Sequence, residues 1–321
     1  MSRHIKTQRM NLKIDYAFKL VFGSKGNEDI LCDLLNEILG LPFERKITGV
    51  HLLNPTIERE YHEDKKSIMD ILAVTIDGRF VNIEIQLDNN CDIVRRTLYY
   101  WSDVYNMQLK QGMEHHELAK TITINIVDFK LLPQTQKYHT TFHLYEKAEK
   151  FLLTDIMEIH FIEMPKLKRK WLNKKVNPWE NRLVRWLLLL EAADDKIITD
   201  MLEEIAMEDP ILQKAIEEWD KASNDYEAHL AYRSRRNFLL DERSKAKRMQ
   251  QTEEKMQQTE EKIKHAEEKY QEIQREVQRA KEHLIKTVNN LLQMGMADEK
   301  IAQVTGLSLS EIEQIKAQLS V

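Results

Sequence analysis

The stretch SIMDILAVTIDGRFVNIEIQL, residues 67–87, decides how the chain folds. Two runs within it, residues 67–76 and 79–87, are rich in Ile, Val and Leu, and an Asp77-Gly78 pair separates them. Runs of β-branched residues predict strands, and Asp-Gly between two such runs is typical of the tight turn in a hairpin. The stretch is therefore predicted to form two antiparallel strands joined by a short turn.

Three polar residues interrupt these apolar runs. Glu84 and Gln86 are two residues apart, so on a strand both side chains project from one face, while the apolar residues beside them fill the other face. Asp70 interrupts the first run in the same way. Charged groups on otherwise apolar strands need a reason, and we therefore expect any chemistry of the chain to lie on this hairpin.

The length of the turn decides whether Asp70 joins Glu84. A two-residue turn pairs position 70 with position 85 and places the two carboxylates on opposite faces. A three-residue loop, with Gly78 left-handed in a bulge, pairs 70 with 84 and sets the carboxylates side by side. Adjacent carboxylates repel each other unless a cation lies between them, so the second register predicts a hard, oxygen-ligated metal such as Mg²⁺.

The surrounding sequence predicts further strands and helices. Apolar residues at helical spacing in 12–39, interrupted by a Gly-Ser-Lys-Gly turn at 23–26, predict two helices. Other apolar runs predict strands at 47–53, 121–129 and 157–164, and a helix at 92–111. This mixture favours an α/β sandwich in which helices flank a mixed sheet.

Taken together, these motifs resemble the PD-(D/E)XK nuclease family transposases, the bacterial recombination-promoting nucleases. The resemblance rests on the hairpin with its IEIQ strand, on DYAFKLVFG at 15–23, RRTLYYWSDVYNMQL at 95–109, TITINIVDF at 121–129 and EIHFIEMPK at 158–166. It covers about residues 10–175 closely and implies a restriction-endonuclease-like core. Members of this family are expected to hydrolyse DNA phosphodiester bonds with a divalent metal, Mg²⁺ or alternatively Mn²⁺ or Ca²⁺.

The resemblance also implies roles for the hairpin residues. Asp70 and Glu84 would be catalytic carboxylates that bind the metal, with the carbonyl oxygen of Ile85 as a further ligand. Gln86 occupies the place of the lysine in the general pattern of the superfamily and is expected to be catalytic as well. Its amide can orient a water or a phosphate oxygen, but it carries no positive charge.

Residues outside the hairpin each have two interpretations. Asp15 either reaches the metal from the first helix or forms a simple i, i+4 pair with Lys19. Arg96 and Tyr100, four apart on the helix after the hairpin, either hold DNA phosphates or pack against the sheet. A basic run at 166–175 is either a track for the DNA backbone or a solvated loop. Within that run the candidate DNA-binding residues are Lys168, Arg169 and Lys170.

Residues 250–291 form six heptads: QQTEEKM, QQTEEKI, KHAEEKY, QEIQREV, QRAKEHL and IKTVNNL. With Met249 as the first a position, apolar residues recur every seven residues, whereas the d positions are mostly small or polar. In a parallel pair, Lys255 and Lys262 at g positions would face glutamates at e positions of the partner. The pattern predicts a parallel homodimer or small homo-oligomer through 241–294, with a solvated single helix as the alternative.

The remaining C-terminal segments read as helical. Residues 176–240 predict a helical region, and residues 295–321 a helix-turn-helix-like tail around IAQVTGLSLSEIEQI. The second helix of this tail offers Lys316 as its only cation beside several acidic residues, which suits a phosphate backbone poorly. The tail therefore either reads DNA or, as we favour, serves a structural or partner-docking role. The nuclease-like domain is accordingly placed at residues 1–175.

Composition limits the class of protein. The 48 basic and 53 acidic residues give a net charge of −5, which neither demands nor excludes a nucleic-acid partner. No uncharged apolar run reaches the roughly 18 residues of a membrane span, and the N-terminus has no apolar stretch of signal-peptide length. Cys32 and Cys91 have no CxxC neighbour and are expected to be ordinary thiols of a reducing compartment. We therefore expect a cytoplasmic protein with no membrane partner.

The sequence predicts a metal-dependent DNA endonuclease that dimerises through its heptads and acts in recombination or on mobile DNA. The alternative is a catalytically weak or inactive nuclease fold that binds DNA or docks proteins. A third interpretation, a coiled-coil scaffold with no nucleic-acid role, predicts no DNA affinity at low salt. Strand transfer does not follow from these residues, because it needs activity beyond hydrolysis.

Overall fold

The structure is a computed structural model that describes residues 8–53, 70–89 and 92–319. The chain divides into two compact units at residue 244. Cys91 and the first three residues of the predicted hairpin lie outside the described residues, whereas Cys32 is buried as a free thiol. Among the residues described, no helix combines the length and the apolar character that crossing a membrane requires.

The first unit contains six strands and the start of the longest helix. Its strands are β1 (Val50–Leu52), β2 (Ile71–Thr75), β3 (Phe80–Gln86), β4 (Thr121–Val127), β5 (His139–Tyr145) and β6 (Leu152–Glu163). Its helices are α1 (Asp15–Phe22), α2 (Glu28–Leu39), α3 (Ile93–Asn106), α4 (Met164–Leu172), α5 (Arg182–Glu191), α6 (Lys196–Ala206), α7 (Pro210–Asn224) and the beginning of α8 (Tyr226–Gln293). The two helices predicted within 12–39 and the helix predicted at 92–111 are α1, α2 and α3.

The strands form one mixed sheet in the order β1-β2-β3-β4-β6-β5. β2 and β3 form the predicted antiparallel hairpin, whereas β3, β4 and β6 are parallel to one another. Ile71 lies opposite Ile83, so the register is that of the three-residue loop. Gly78 has φ +91° in this loop, a left-handed conformation that favours glycine.

Each face of the sheet packs against helices. On one face, Ile122, Ile124 and Ile126 of β4 join the large core with α1, α2 and α5. On the other face, α3 packs through Tyr100 and Val104, and this side also carries polar residues of the strands. Alternation along each strand therefore separates an apolar face from a partly polar one.

The helical region predicted at 176–240 shares the same core as the sheet. The WLLLL segment of α5 is buried throughout, and Trp186 packs edge-on against Phe22 of α1. Trp219 of α7 and Tyr232 of α8 belong to this core as well. Residues on both sides of position 175 therefore fold around one continuous apolar interior.

One strand escaped the sequence prediction. β5 (His139–Tyr145) is an edge strand that pairs with β6 alone, and most of its side chains are exposed or half-buried. Such a strand has no buried face, so its sequence HTTFHLY lacks the alternation on which strand prediction depends. β6 also begins earlier, at Leu152, because its first half pairs with this edge strand.

The second unit contains the rest of α8, followed by α9 (Asp298–Thr305) and α10 (Leu309–Leu319). Val288, Ile301 and Ile312 form its small buried core, and Gly306 ends α9 with φ +76°. Leu291, predicted as a heptad a position, packs against this core. The apolar stripe that precedes it is exposed: Met249, Met256, Ile263, Tyr270, Ile273 and Val277.

Candidate active site

The hairpin register brings Asp70 and Glu84 together on the α3 face of the sheet. Both are buried, with 7% and 4% of their surface exposed. The Asp70 N–H donates to Glu84 Oε1 over 3.3 Å, and the Ile85 N–H donates to Asp70 Oδ2 over 2.8 Å. The three-residue loop therefore creates a pair of carboxylates that share hydrogen bonds, one immediately before β2 and the other on β3.

Burial and neighbouring carboxylates disfavour the charged forms of both groups. Burial and then the charge of Asp15 raise the pKa of Asp70 to about 6. Burial and then the charge of Asp70 raise the pKa of Glu84 to about 8. The guanidinium of Arg96 acts against both shifts. The pair is thus a place where an added positive charge is strongly favoured.

The donor set at the pair suits a magnesium-like ion. Asn82 donates to Glu84 over 3.4 Å, while its own Oδ1 is buried with no hydrogen-bond partner among the described residues. In an extended strand the N–H and C=O of a residue point to the same side, so the Ile85 carbonyl oxygen lies on the edge of β3 where its N–H meets Asp70. Oxygen atoms therefore dominate this side of β3.

Across residues 8–53, 70–89 and 92–319, no three His, Cys, Asp or Glu side chains form a group that could hold a metal. Mg²⁺ keeps several waters and is held by one or two carboxylates with substrate phosphates, so the Asp70–Glu84 pair fits that ion.

Arg96 of α3 reaches over the pair. Its Nη2 lies 3.4 Å from Glu84 Oε2, and its Nη1 donates to Gln86 Oε1 over 3.3 Å. Its Nε donates to the hydroxyl of Tyr100 over 3.0 Å, and its guanidinium lies over that ring. Tyr100 is almost fully buried and packs with Leu72, so packing is established for Tyr100.

Gln86 stands beside the carboxylate pair but differs from it in exposure. It is half-buried, and its Nε2 donates to the carbonyl oxygen of Asp88 over 3.1 Å. Its amide oxygen accepts the hydrogen bond from Arg96. The structure therefore brings together four of the predicted site residues, Asp70, Glu84, Gln86 and Arg96.

Asp15 has a partner that the sequence did not suggest. Arg235 of α8 donates two hydrogen bonds from Nε to its carboxylate, at 3.0 and 2.8 Å, and a third from Nη2 at 2.5 Å. The two residues are 220 positions apart, and no local spacing connects them. Asp15 still acts electrostatically on Asp70, so its charge lies close to the site.

The segment before α1 is fixed by the same helices. The Met10 N–H donates to Ser223 Oγ over 3.0 Å, and Trp219 Nε1 donates to the Met10 carbonyl oxygen over 2.7 Å. The Asn11 N–H donates to the Tyr232 hydroxyl over 3.0 Å. We call residues 9–15 the N-terminal strap, because α7 and α8 hold this segment against the core.

The predicted DNA track lies on α4, and its residues have individual partners. Lys168 pairs with Glu191 over 3.4 Å, Arg169 donates to Gln136, and Lys170 lies over the ring of Tyr138. Lys166 of the same run is buried and pairs with Glu163 over 2.5 Å, so it does not belong to a surface track. The DNA-binding role of Lys168, Arg169 and Lys170 stays a prediction.

A second buried polar cluster lies on β5 and β6. His160 Nε2 bonds to Glu158 Oε1 over 2.7 Å, and its Nδ1 lies 2.8 Å from His139 Nε2. Lys120 pairs with the other oxygen of Glu158 over 2.5 Å. Each of these groups has a partner within the cluster, so the cluster is structural: it joins the edge strand to the sheet.

A six-stranded mixed sheet, flanking helices and a buried carboxylate pair define an α/β protein with a candidate active site. A family model for the PD-(D/E)XK nuclease family transposases matches residues 12–249. The chain belongs to the PD-(D/E)XK nuclease family transposases, and the resemblance drawn from its motifs is confirmed. No curated protein and no solved structure matches the chain.

Proposed function

We propose that the chain is a divalent-metal-dependent DNA endonuclease that hydrolyses phosphodiester bonds. The observation that carries this proposal is the side-by-side arrangement of Asp70, just before β2, and Glu84 on β3, both buried in a chain of a nuclease family. Nuclease-type hydrolysis needs a hard cation next to the phosphate, and this pair is the arrangement that favours one. An action in bacterial recombination or on mobile DNA, in the cytoplasm, is part of the same proposal.

The residues present fit Mg²⁺, with Mn²⁺ or Ca²⁺ as substitutes. Asp70 and Glu84 would hold it, with the carbonyl oxygen of Ile85 as a further ligand. When bound, the ion polarises the scissile phosphate and lowers the pKa of a bound water. Gln86 orients a water or phosphate oxygen through its amide, and it cannot act as a base.

Other residues support substrate binding in this proposal. Arg96 and the α4 cations Lys168, Arg169 and Lys170 contact phosphates, whereas the Tyr100 hydroxyl accepts a hydrogen bond from Arg96 and so orients it. Phosphate contacts of this kind position DNA without reading its sequence. Asp15 contributes negative charge beside the metal-binding pair, and Arg235 holds it in place.

The heptads of α8 form the interface of the proposed dimer. Its exposed a positions form an apolar stripe, with Met249, Met256 and Ile263 more than half exposed. A parallel second copy would cover this stripe and pair Lys255 with Glu260, Lys262 with Glu267 and Glu276 with Lys281. An antiparallel copy would largely oppose like charges. The proposed assembly is therefore a parallel homodimer or small homo-oligomer.

Cleavage of supercoiled plasmid tests the proposed function. The wild-type protein should nick DNA in the presence of Mg²⁺ or Mn²⁺, and EDTA should abolish this nicking. Asp70→Asn and Glu84→Gln should each lower the cleavage rate about a thousandfold or more. A catalytic metal stabilises the transition state by several kcal/mol, and about 1.4 kcal/mol corresponds to a tenfold change in rate. Both variants should keep the wild-type melting temperature or exceed it, because they remove a buried repulsion.

Asp92→Asn is the matched control for the same change of side chain. Asp92 caps α3 by accepting from the Arg95 N–H over 3.2 Å, and asparagine caps a helix as well as aspartate does. This variant should cut like wild type. If wild type fails to cut with every metal yet shifts DNA on a gel, the proposal is wrong and a DNA-binding module takes its place.

A further inference from the structure

Phosphodiester hydrolysis builds negative charge on the phosphate, and fixed donors aimed at that charge lower the barrier. The two carboxylates of the site cannot supply them, and Gln86 offers only a neutral amide. The motif that gives the family its name ends in a lysine, and glutamine stands at this place in the chain. Any positive side chain that supplements the metal at the phosphate therefore comes from a position other than 86.

The guanidinium of Arg96 lies at the place where that charge is missing. It contacts the carboxylate of Glu84 and the amide oxygen of Gln86, at 3.4 and 3.3 Å. About a third of its side chain, 34%, is exposed, so it can be reached from solvent. Arginine offers a planar fork of donors that matches phosphate oxygens in pairs.

Contacts with the sheet fix the helix that carries Arg96. Thr97 Oγ1 bonds to Asn125 Oδ1 of β4 over 2.9 Å, and Tyr100 is buried against the sheet. The Tyr100 hydroxyl accepts from Arg96 Nε over 3.0 Å. This support orients the guanidinium before any substrate arrives, which is what electrostatic stabilisation requires.

The contacts of Arg96 differ from those of a structural ion pair in the same unit. Arg182 binds Asp33 with two hydrogen bonds from Nη2, at 2.8 and 3.0 Å. Arg96 approaches Glu84 no closer than 3.4 Å in its ion pair. The ion pair between Arg96 and Glu84 is therefore the longer of the two.

We propose that Arg96, carried on α3, is the catalytic cation that contacts the scissile phosphate and replaces a lysine at position 86. This inference rests on the proposed nuclease function and deepens it. It distinguishes Arg96 from the cations on α4, which position the DNA backbone away from the reacting atoms. In this proposal the positive charge lies on helix α3 instead of strand β3. A lysine at position 86 should therefore restore part of the cleavage that a neutral residue at position 96 removes.

The test measures plasmid cleavage by the full-length protein with saturating Mg²⁺, at limiting and saturating DNA. Arg96→Gln should lower the cleavage rate at saturating DNA about a hundredfold, the usual loss when one such donor is removed. The DNA concentration that gives half of the maximal rate should change little. Arg96→Lys should lower the cleavage rate about tenfold, because lysine keeps the positive charge but lacks the planar set of guanidinium donors. The double variant Arg96→Gln with Gln86→Lys should regain at least about tenfold over Arg96→Gln alone.

Arg95→Gln is the matched control. Arg95 is the neighbouring residue, 88% exposed and paired with Asp92 at the start of α3, so this variant removes the same charge away from the site. It should cut within about threefold of wild type. Thermal unfolding of every variant separates lost chemistry from lost fold. If Arg96→Gln does not fold, Arg96→Lys decides, and retention of less than about a hundredth of the wild-type rate contradicts the proposal.

Three results distinguish failure of this inference from failure of the proposed function. Arg96→Gln cleaving as well as Arg95→Gln, with tighter Mn²⁺ binding by calorimetry, would show that Arg96 merely neutralises Glu84 and would overturn the inference alone. A double variant no better than Arg96→Gln would also overturn it. If the wild-type protein is as inactive as Asp70→Asn, the nuclease function is overturned and this inference with it.

Discussion

The two units of the chain differ in where their apolar side chains lie. In the first unit, Phe18, Phe22 and Trp186 are buried in a core that one chain closes by itself. In the second unit, the apolar residues of α8 are exposed before its final turns, with Met249 at 73% and Ile263 at 54%. The family match ends at residue 249, close to where this exposed stripe begins.

This difference separates two sources of stability. Burial of apolar surface stabilises the first unit at any protein concentration, because all partners are in one chain. The stripe along α8 gains the same stabilisation only when another helix covers it, so its contribution depends on concentration. Chemistry is therefore expected from the first unit and assembly from the second.

The largest effect should come from opening the core of the first unit. Trp186→Ala removes a buried indole that packs on Phe22 and donates to Asp33 over 2.8 Å. The free energy of unfolding should fall by about 3–5 kcal/mol at every protein concentration. Trp179→Ala, at a tryptophan that is 44% exposed, is the control and should cost far less in the same urea titration. Equal losses for the two variants would contradict a core closed within one chain.

The next effect concerns the stripe along α8. Ile263→Glu places a charge at an a position, so self-association measured by analytical ultracentrifugation should weaken about a hundredfold, the equivalent of one buried isoleucine on each helix. Plasmid cleavage at high protein concentration should persist. Arg275→Glu puts the same side chain on an outer heptad position and should leave association unchanged. Wild type that is monomeric at tens of micromolar would rule out the dimer.

A smaller effect should follow release of the N-terminal strap. Arg235→Gln removes a half-buried charged partner of Asp15, and the free energy of unfolding should fall by about 1–2 kcal/mol. The adjacent and exposed Arg236 provides the control variant Arg236→Gln, expected to change stability by less than about 0.5 kcal/mol. Chemical denaturation measures both. An unchanged Arg235→Gln would show that the strap does not depend on this ion pair.

A pH dependence of the structural cluster on β5 and β6 is expected as well. Burial and then the neighbouring His160 lower the pKa of His139 from 6.5 to about 4, so the unfolded chain binds the proton first and stability falls as pH drops from 6.5 toward 4. Although burial opposes it, hydrogen bonds from His160 and Lys120 lower the pKa of Glu158 to about 2. Stability that is present above pH 4.5 is therefore lost between pH 4.5 and 2.

Urea titrations at several pH values measure this dependence. Glu158→Gln should flatten the loss below pH 4.5, because the residue no longer changes protonation. Glu180→Gln, at an exposed position, should leave the pH profile as it is in wild type. A Glu158→Gln profile that matches wild type would place the acid sensitivity elsewhere in the chain.

The hairpin shows how far sequence reasoning extends. Alternation along β3 identified the face that Glu84 and Gln86 share, because the period of a strand is fixed. The Asp-Gly turn left two registers open, since both loop lengths accept glycine at position 78. The structure has the longer loop, in which Thr75 Oγ1 accepts from the Arg79 N–H over 2.9 Å and bonds to Asp77. That hydrogen bonding depends on three side chains together and has no simple sequence signature.

What the sequence missed are contacts over long separations. Arg235 lies in a region whose pattern predicts only core helix, and its pairing with Asp15 follows from how α8 docks on α1. Lys166 looks like one cation of a solvated run, yet tertiary packing buries it against Glu163. Periodicity reports which face of an element is apolar, and it does not report which distant polar group that face meets.

Metal-directed cleavage of the protein is the most direct test of whether Asp70 and Glu84 hold a divalent cation. Fe²⁺ with ascorbate and peroxide, added to the full-length protein, generates radicals that cut the backbone next to the bound ion. We expect cuts near residues 70 and 84–86 that excess Mg²⁺ suppresses and that Asp70→Asn abolishes. Cuts near the His139–His160 cluster instead, or a pattern that neither Mg²⁺ nor Asp70→Asn changes, would contradict this expectation.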